Sequence, residues 1–270
     1  MPPVPSRFAD RAKAGIRKYQ RVLESAKKRD VNESDTSVIV KDMLSDILGY
    51  DKYEDVTTEV AIRSTFCDLA IKVKGRLQYL IEVKSIGTDL KDNHLRQAID
   101  YGSREGVEWV LLTNGIVWQA HRIRFEQPID HDMVFTVDLL DGETKPAEMV
   151  EKLYLISKDA GNASQIDLYW KHKEATSRYV VAQLLLEQPS LSMLRRQLRT
   201  LFPGLKVSEA EIERLLRSEV LKRDALEGDK AVSAEKMVKR AERRRARAKS
   251  ERSGDDAAIE TSGASTPTET

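Results

Sequence analysis

The stretch Cys67-Asp68-Leu69-Ala70-Ile71-Lys72-Val73-Lys74-Gly75-Arg76-Leu77-Gln78-Tyr79-Leu80-Ile81-Glu82-Val83-Lys84 decides the fold. Leu69, Ile71 and Val73 alternate before Gly75, and Tyr79, Ile81 and Val83 alternate after it. A period of two in residues this rich in Val, Ile and Tyr reads as two strands, and the Gly75-Arg76 break predicts that they form an antiparallel hairpin. If both apolar rows face one core, paired residue numbers sum to an even value. Asp68 then lies on the same face as Glu82, and Lys84, two residues on, shares it. That register requires a turn with an odd number of residues around Gly75, three or five, with Gly75 at positive φ. Core packing and the convergence of two carboxylates therefore demand the same pairing.

Two carboxylates beside a lysine have a chemical use. Adjacent carboxylates repel unless one is protonated or a cation sits between them. Hard oxygen ligands in a half-open site suit Mg²⁺, which keeps waters and phosphate oxygens in its shell. A bound metal activates water and shields phosphate charge, and an ammonium such as Lys84 orients that water or stabilises the charge developing in attack. No Ser or Cys nucleophile is required. Taken alone, an E-x-K pattern describes a charged strand face equally well.

Residues 6 to 30 carry a thin apolar stripe, Phe8, Ala12, Ile16, Tyr19 and Leu23, which predicts a basic amphipathic helix leaning on the main domain. Asn32-Glu33-Ser34-Asp35 supplies caps for a helix over 35–48 that Gly49 closes. Glu54 to Ile62 is a third strand, preceding the hairpin and separated from it by Arg63-Ser64. A helix is expected over 90–104, then strands at 109–113 and 116–123 about Asn114-Gly115, which predicts a two-residue type I′ turn. A strand at 133–139 and a helix at about 146–158 complete the centre. From 163 every pattern is helical, including a capped helix from Ser208 to about 225. Residues 229–252 have helical propensity but almost no apolar face, so they are expected to fray or to fold on a partner. The last 18 residues read as disordered. The expected organisation is a basic helix (1–30), an α/β domain (31–160), a helical extension (163–228), and a basic helix with a tail (229–270).

Across 270 residues, 45 Lys and Arg face 44 Asp and Glu, a net charge of +1. The charge is segregated: +6 over 1–30, −10 over 31–170, +9 over 171–252 and −4 over 253–270. With 33% charged and 40% apolar residues, one good core is affordable, and collagen-like, wholly disordered or membrane-spanning chains are excluded. One Cys and four His cannot assemble a zinc cluster or a disulfide framework. With no apolar run behind the Pro-rich start, a cytoplasmic protein is expected.

An ordered set of motifs now stands out: Asn32-Glu33-Ser34-Asp35-Thr36, Met43-Leu44, Leu48-Gly49-Tyr50, Asp68-Leu69-Ala70-Ile71, Leu80-Ile81-Glu82-Val83-Lys84, Gln97-Ala98-Ile99-Asp100-Tyr101 and Leu112-Thr113-Asn114-Gly115. Over about residues 31 to 125 the chain resembles the N-terminal nuclease domain of type I restriction enzyme R subunits, of the PD-(D/E)XK nuclease superfamily. The resemblance implies a restriction-endonuclease-like core and Mg²⁺- or Mn²⁺-dependent hydrolysis of DNA. By position it makes Asp68, Glu82 and the Val83 carbonyl metal ligands, Lys84 the catalytic lysine, Glu33 the additional acidic residue of the first helix, and Gln97 with Tyr101 the Q-x-x-x-Y pair. Cys67 stands where the superfamily name has Pro. The chain has no G-x-x-x-x-G-K-[ST] phosphate loop, so an ATP-driven motor is not implied.

The basic arms would bring DNA to this acidic centre. Candidate contacts are Lys13, Arg17, Lys18, Lys27, Lys28 and Arg29, then Arg195, Arg196 and Arg199, then the run holding Arg243, Arg244, Arg245 and Arg247. His94 and the aromatic Trp109 and Trp118 have blander readings as surface and core residues. A homodimer would supply two sites for two strands. The rival expectation is a catalytically inactive nucleic-acid-binding or scaffold protein that keeps the fold.

Overall fold

The computed structural model describes residues 3–62, 65–161 and 164–261. The chain divides into two compact units, Met1–Trp170 and Lys171–Thr270. The first is an α/β unit around a six-stranded mixed sheet, and the second is helical.

The sheet runs in sequence order, β1 (Val56–Ile62), β2 (Thr65–Val73), β3 (Arg76–Val83), β4 (Trp109–Thr113), β5 (Val117–Arg124) and β6 (Asp130–Asp138). Every neighbouring pair is antiparallel except β3 and β4, which are parallel. A parallel pair needs a crossover, and residues 84–108 provide it. They carry a 3₁₀ turn (Asp92–Leu95) and α3 (Arg96–Glu105), so the expected helix over 90–104 starts six residues late.

One face of the sheet packs on α1 (Ser6–Lys28), α2 (Glu33–Asp46) and α4 (Pro146–Leu155). Phe8, Ala12, Ile16, Tyr19 and Leu23, the stripe of α1, are buried with Tyr79, Ile81 and Trp118, so α1 belongs to the core of this unit. The opposite face packs on α3 through Ala70, Leu80, Val110, Leu112, Ala98 and Tyr101. Burying a Leu, Ile or Phe is worth about 1.5–3 kcal/mol each, which makes the two apolar faces the main force holding the site's strands in register.

The register over the carboxylates is the expected one. Leu69 pairs with Ile81 and Ile71 with Tyr79, an even sum that sets Asp68 opposite Glu82. The turn differs. A β-bulge between Ile71 and Lys72 shifts the pairing so that Val73 faces Arg76 across a two-residue turn. Its residues, Lys74 and Gly75, have φ of 52° and 75°, the signature of a type I′ turn. The extra residue of the bulge, Gln78, reconciles an even register with an even turn.

The Asn114-Gly115 expectation is corrected in the other direction. Thr113 pairs with Trp118, leaving a four-residue loop in which only Gly115 has positive φ, 83°. Asn114 is buried, and its carboxamide oxygen accepts from the Ile116 and Val117 N–H groups at 3.1 and 2.8 Å. Its side chain, not a mirror-image backbone, closes the turn.

After β6 come α4 and α5 (Ser164–Ala175). Trp109 Nε1 donates to Asp167 Oδ1 at 3.0 Å, and Phe135 meets Tyr169 edge-on, so residues up to 170 join the sheet unit. The second unit holds α6 (Arg178–Leu186), α7 (Gln188–Leu201), α8 (Glu209–Leu215), α9 (Arg223–Leu226) and α10 (Asp229–Thr261). Ser208 and Glu211 form the expected capping box, but a π turn at Leu216–Val220 ends that helix early. The expectation that 229–252 lacks a packing face is wrong at its start. Ala231, Ala234 and Val238 are buried, at spacings of three and four, and the latter two pack with Val180 of α6. The helix continues to Thr261, where the sequence predicted a disordered tail. The final residues, 262–270, and the break at Arg63-Ser64 lie outside the described residues. Among the described residues no helix is long and apolar enough to cross a membrane.

Candidate active site

Four of the expected residues meet at the carboxyl end of β3. Lys84 is tied to the neighbouring parallel strand by its N–H, which donates to the Thr113 carbonyl at 2.8 Å. Asp68 arrives from β2, and its Oδ2 accepts the Val83 N–H at 2.7 Å. Glu82 is 5% exposed. Lys84 Nζ donates to Glu82 Oε1 at 2.7 Å and lies 3.5 Å from Glu33 Oε2. Glu33 comes from the first turn of α2, which Asn32 caps by accepting the Asp35 N–H at 2.9 Å.

Glu82 Oε2, buried beside these groups, has no hydrogen-bond partner. A buried acceptor without a partner costs about 1–3 kcal/mol, more when charged. Burial pushes the Glu82 carboxyl from 4.5 up to about 7; the Asp68 and Glu33 charges add to the rise, and Lys84 opposes it. Burial works against the charged form of Lys84, but the hydrogen bond and charge of Glu82, with the charges of Glu33 and Asp68, outweigh it and raise its pKa. The site thus holds a firmly protonated lysine and a carboxyl divided between its two forms near neutrality.

The residues fit a hard divalent cation. The Asp68 carboxylate, the unpartnered Glu82 Oε2 and the main chain of Val83 offer oxygen from adjacent strands, and Lys84 has already taken Oε1. Among the described residues no three side chains of His, Cys, Asp or Glu could hold a cation by themselves. Water and phosphate oxygens would therefore complete the shell, as Mg²⁺ prefers.

Other expected residues stand apart. Tyr101 is buried in the packing of α3 on the sheet, with its hydroxyl pKa raised chiefly by burial and then by the charge of Glu105. Gln97 is exposed. Neither is hydrogen-bonded to Asp68, Glu82 or Lys84 among the described residues. His94 accepts the Lys91 N–H through Nδ1 at 3.3 Å, and Trp109 and Trp118 are core residues. Of the basic candidates, Lys27, Lys28, Arg29, Arg196, Arg199, Arg243, Arg244 and Arg245 are exposed. Lys18 pairs with Asp46 at 2.7 Å and Arg195 with Glu209 at 3.2 Å, while the side chain of Arg247 falls outside the described residues. A groove of about 400 Å³ between α3 and the β5–β6 hairpin, lined in part by Asp92, Arg96, Asp130 and His131, includes none of the four site residues.

Sequence reasoning missed the groups that fix the lysine loop. Ser85 and Thr88 share a hydroxyl hydrogen bond at 2.6 Å, the Thr88 N–H donates to the Ser85 carbonyl at 2.9 Å, and Asn114 Nδ2 donates to the Thr88 carbonyl at 3.0 Å. The S-x-x-T spacing was the only signal. Cys67 is also explained: it is fully buried, its thiol donates to the Leu69 and Ile81 carbonyls, and burial with the nearby Glu82 and Asp68 charges pushes its pKa up to about 12. It is inert packing behind the carboxylates. Asn114→Ala is expected to destabilise the chain by about 1–2 kcal/mol, because three backbone groups lose their partner. Urea unfolding checks this, and a midpoint equal to wild type would contradict the clasp.

Compared with protein-family models, curated proteins and solved structures, the chain matches none.

Proposed function

We propose that Asp68, Glu82, Lys84 and Glu33 form the active site of a metal-dependent deoxyribonuclease of the PD-(D/E)XK type, with DNA as its partner. The observation that carries this reading is the buried, unpartnered Oε2 of Glu82 beside a second carboxylate and a charged lysine. A structural salt bridge between Lys84 and Glu82 would need neither Asp68 nor an open oxygen.

Asp68 and Glu82, with the Val83 carbonyl, would hold Mg²⁺ or Mn²⁺. When bound, the cation lowers the pKa of water and draws charge from the phosphate. Glu82 must be ionised for this role, so the cation competes with the proton that burial favours on it. Lys84, kept protonated, would orient the attacking water and stabilise the negative charge that grows on phosphate oxygens. The Asp68 hydrogen bond to Val83 and the Asn114–Thr88 clasp keep these groups in place without reorganisation. In the reaction the water oxygen bonds to phosphorus, one P–O ester bond breaks, the water proton leaves to solvent or a phosphate oxygen, and the departing alkoxide is protonated. Glu33 adjusts the charge on Lys84 and is close enough to share it.

Purified chain incubated with supercoiled, linear and single-stranded DNA should cleave in Mg²⁺ or Mn²⁺ and stop on addition of EDTA. DNA that is bound but left whole under every metal condition would replace this reading with the scaffold one.

A further inference from the structure

In the sheet unit many cations are engaged by carboxylates: Arg11 with Asp159, Lys18 with Asp46, Lys52 with Asp42, Lys158 with Asp55, and Arg122 with Glu108. Lys27, Lys28 and Arg29 differ. They are consecutive and exposed, with no carboxylate partner among the described residues; Arg29 Nε only donates to the Ser25 carbonyl of its own helix at 3.4 Å.

Their position is fixed relative to the site. They end α1 and pass through Asp30, which has φ of 49°, to Asn32 and Glu33. Asp30 sits so tightly on Gly87 that a Cβ there would meet Asp30 Oδ1 at 2.8 Å. Gly87 lies three residues beyond Lys84 in the clasped loop, and Glu33 reaches Lys84 at 3.5 Å from the same side. The basic run is thus joined directly to Asp30 and Glu33, two residues that touch the lysine loop.

We propose that Lys27, Lys28 and Arg29 form a phosphate-gripping lip beside the Asp68–Glu82 site, holding DNA backbone phosphates that flank the one positioned for hydrolysis. This rests on the nuclease reading. A site built from three carboxylates and one lysine repels a polyanion, and cations fixed at its edge offset that repulsion where the strand must enter. The negative end of α1 also favours Lys27 and Lys28, but that role affects helix stability and leaves the salt dependence of DNA binding unchanged.

The test is the full chain carrying K27Q, K28Q and R29Q, with single K28E as a second variant. Both keep the buried stripe of α1. Binding of a labelled DNA duplex in EDTA is followed by anisotropy between 50 and 300 mM salt. The lip predicts that the triple variant's slope of log K against log salt is shallower by about 3, with the K28E affinity reduced at low salt. In Mg²⁺, the triple variant's KM should rise tenfold or more while kcat stays within about twofold. Unchanged affinity and slope in folded variants would remove the lip and leave hydrolysis standing, as would the same loss in R243Q/R244Q/R245Q alone. Lip-dependent binding without cleavage by the wild type would remove hydrolysis and leave the lip as a DNA contact. A wild type that binds no DNA would remove both.

Discussion

Asp68→Ala and Lys84→Ala should each lower divalent-dependent DNA cleavage by about 10³-fold or more, the scale at which a single electrostatic or ligand group contributes to a transition state. For Asp68 the loss is twofold in origin. One carboxylate ligand disappears, and the Val83 N–H that donates to Oδ2 at 2.7 Å loses its partner. Asp68→Asn keeps an acceptor for that N–H but not the charge, so it should fold like wild type and remain inactive. Lys84→Ala removes the group that holds Glu82 Oε1 and leaves two unpartnered oxygens on a buried carboxyl. Its kcat should fall more than its KM rises, because Lys84 acts on charge that appears during attack. Plasmid cleavage with initial-rate kinetics checks both. Activity within tenfold of wild type in either alanine variant would sink the assignment.

The second large effect is on stability. Glu82 titrates at about 7 in the folded chain against about 4.5 when unfolded. Between those values the native state binds more protons, so Glu82's contribution to stability is present below pH 4.5 and is lost as pH rises through about 7. A shift of that size corresponds to at most about 3 kcal/mol. Glu82→Gln abolishes the titration. Relative to wild type it should gain stability from about pH 4.5 to about pH 7 and hold that gain at higher pH, as measured by urea unfolding without metal. Mn²⁺ at pH 8 should restore the wild type, by about 2.7 kcal/mol at a hundredfold excess over Kd, and leave Glu82→Gln unmoved. Parallel pH profiles for the two proteins would show that Glu82 is not the strained group.

These expectations depend on how much of the site was legible. The faces of β2 and β3 were, because the alternation of Leu69, Ile71, Tyr79 and Ile81 leaves one register that buries them all. Asp68, Glu82 and Lys84 converge for that reason, and Glu33 joins them because the cap at Asn32 fixes where α2 begins. Turn chemistry was not legible. Gly75 and Asn114-Gly115 are both turn signals, but which residue takes positive φ depended on a bulge at Gln78 and on a buried carboxamide, neither of which leaves a periodic mark. Gln97 and Tyr101 share a helix face by spacing, yet the sheet buries only the tyrosine. The start of α10 was missed because small residues, Ala231 and Ala234, bury a face with little hydrophobic signal.

Asp68 and Glu82 as a divalent-cation site is the claim on which the rest turns, and crystals soaked in Mn²⁺ test it most directly. Anomalous density bounded by the Asp68 carboxylate, Glu82 Oε2 and the Val83 carbonyl, absent from Asp68→Asn crystals, is the predicted result. A soaked wild type with no density there, and with Lys84 still the only cation on Glu82, would contradict it.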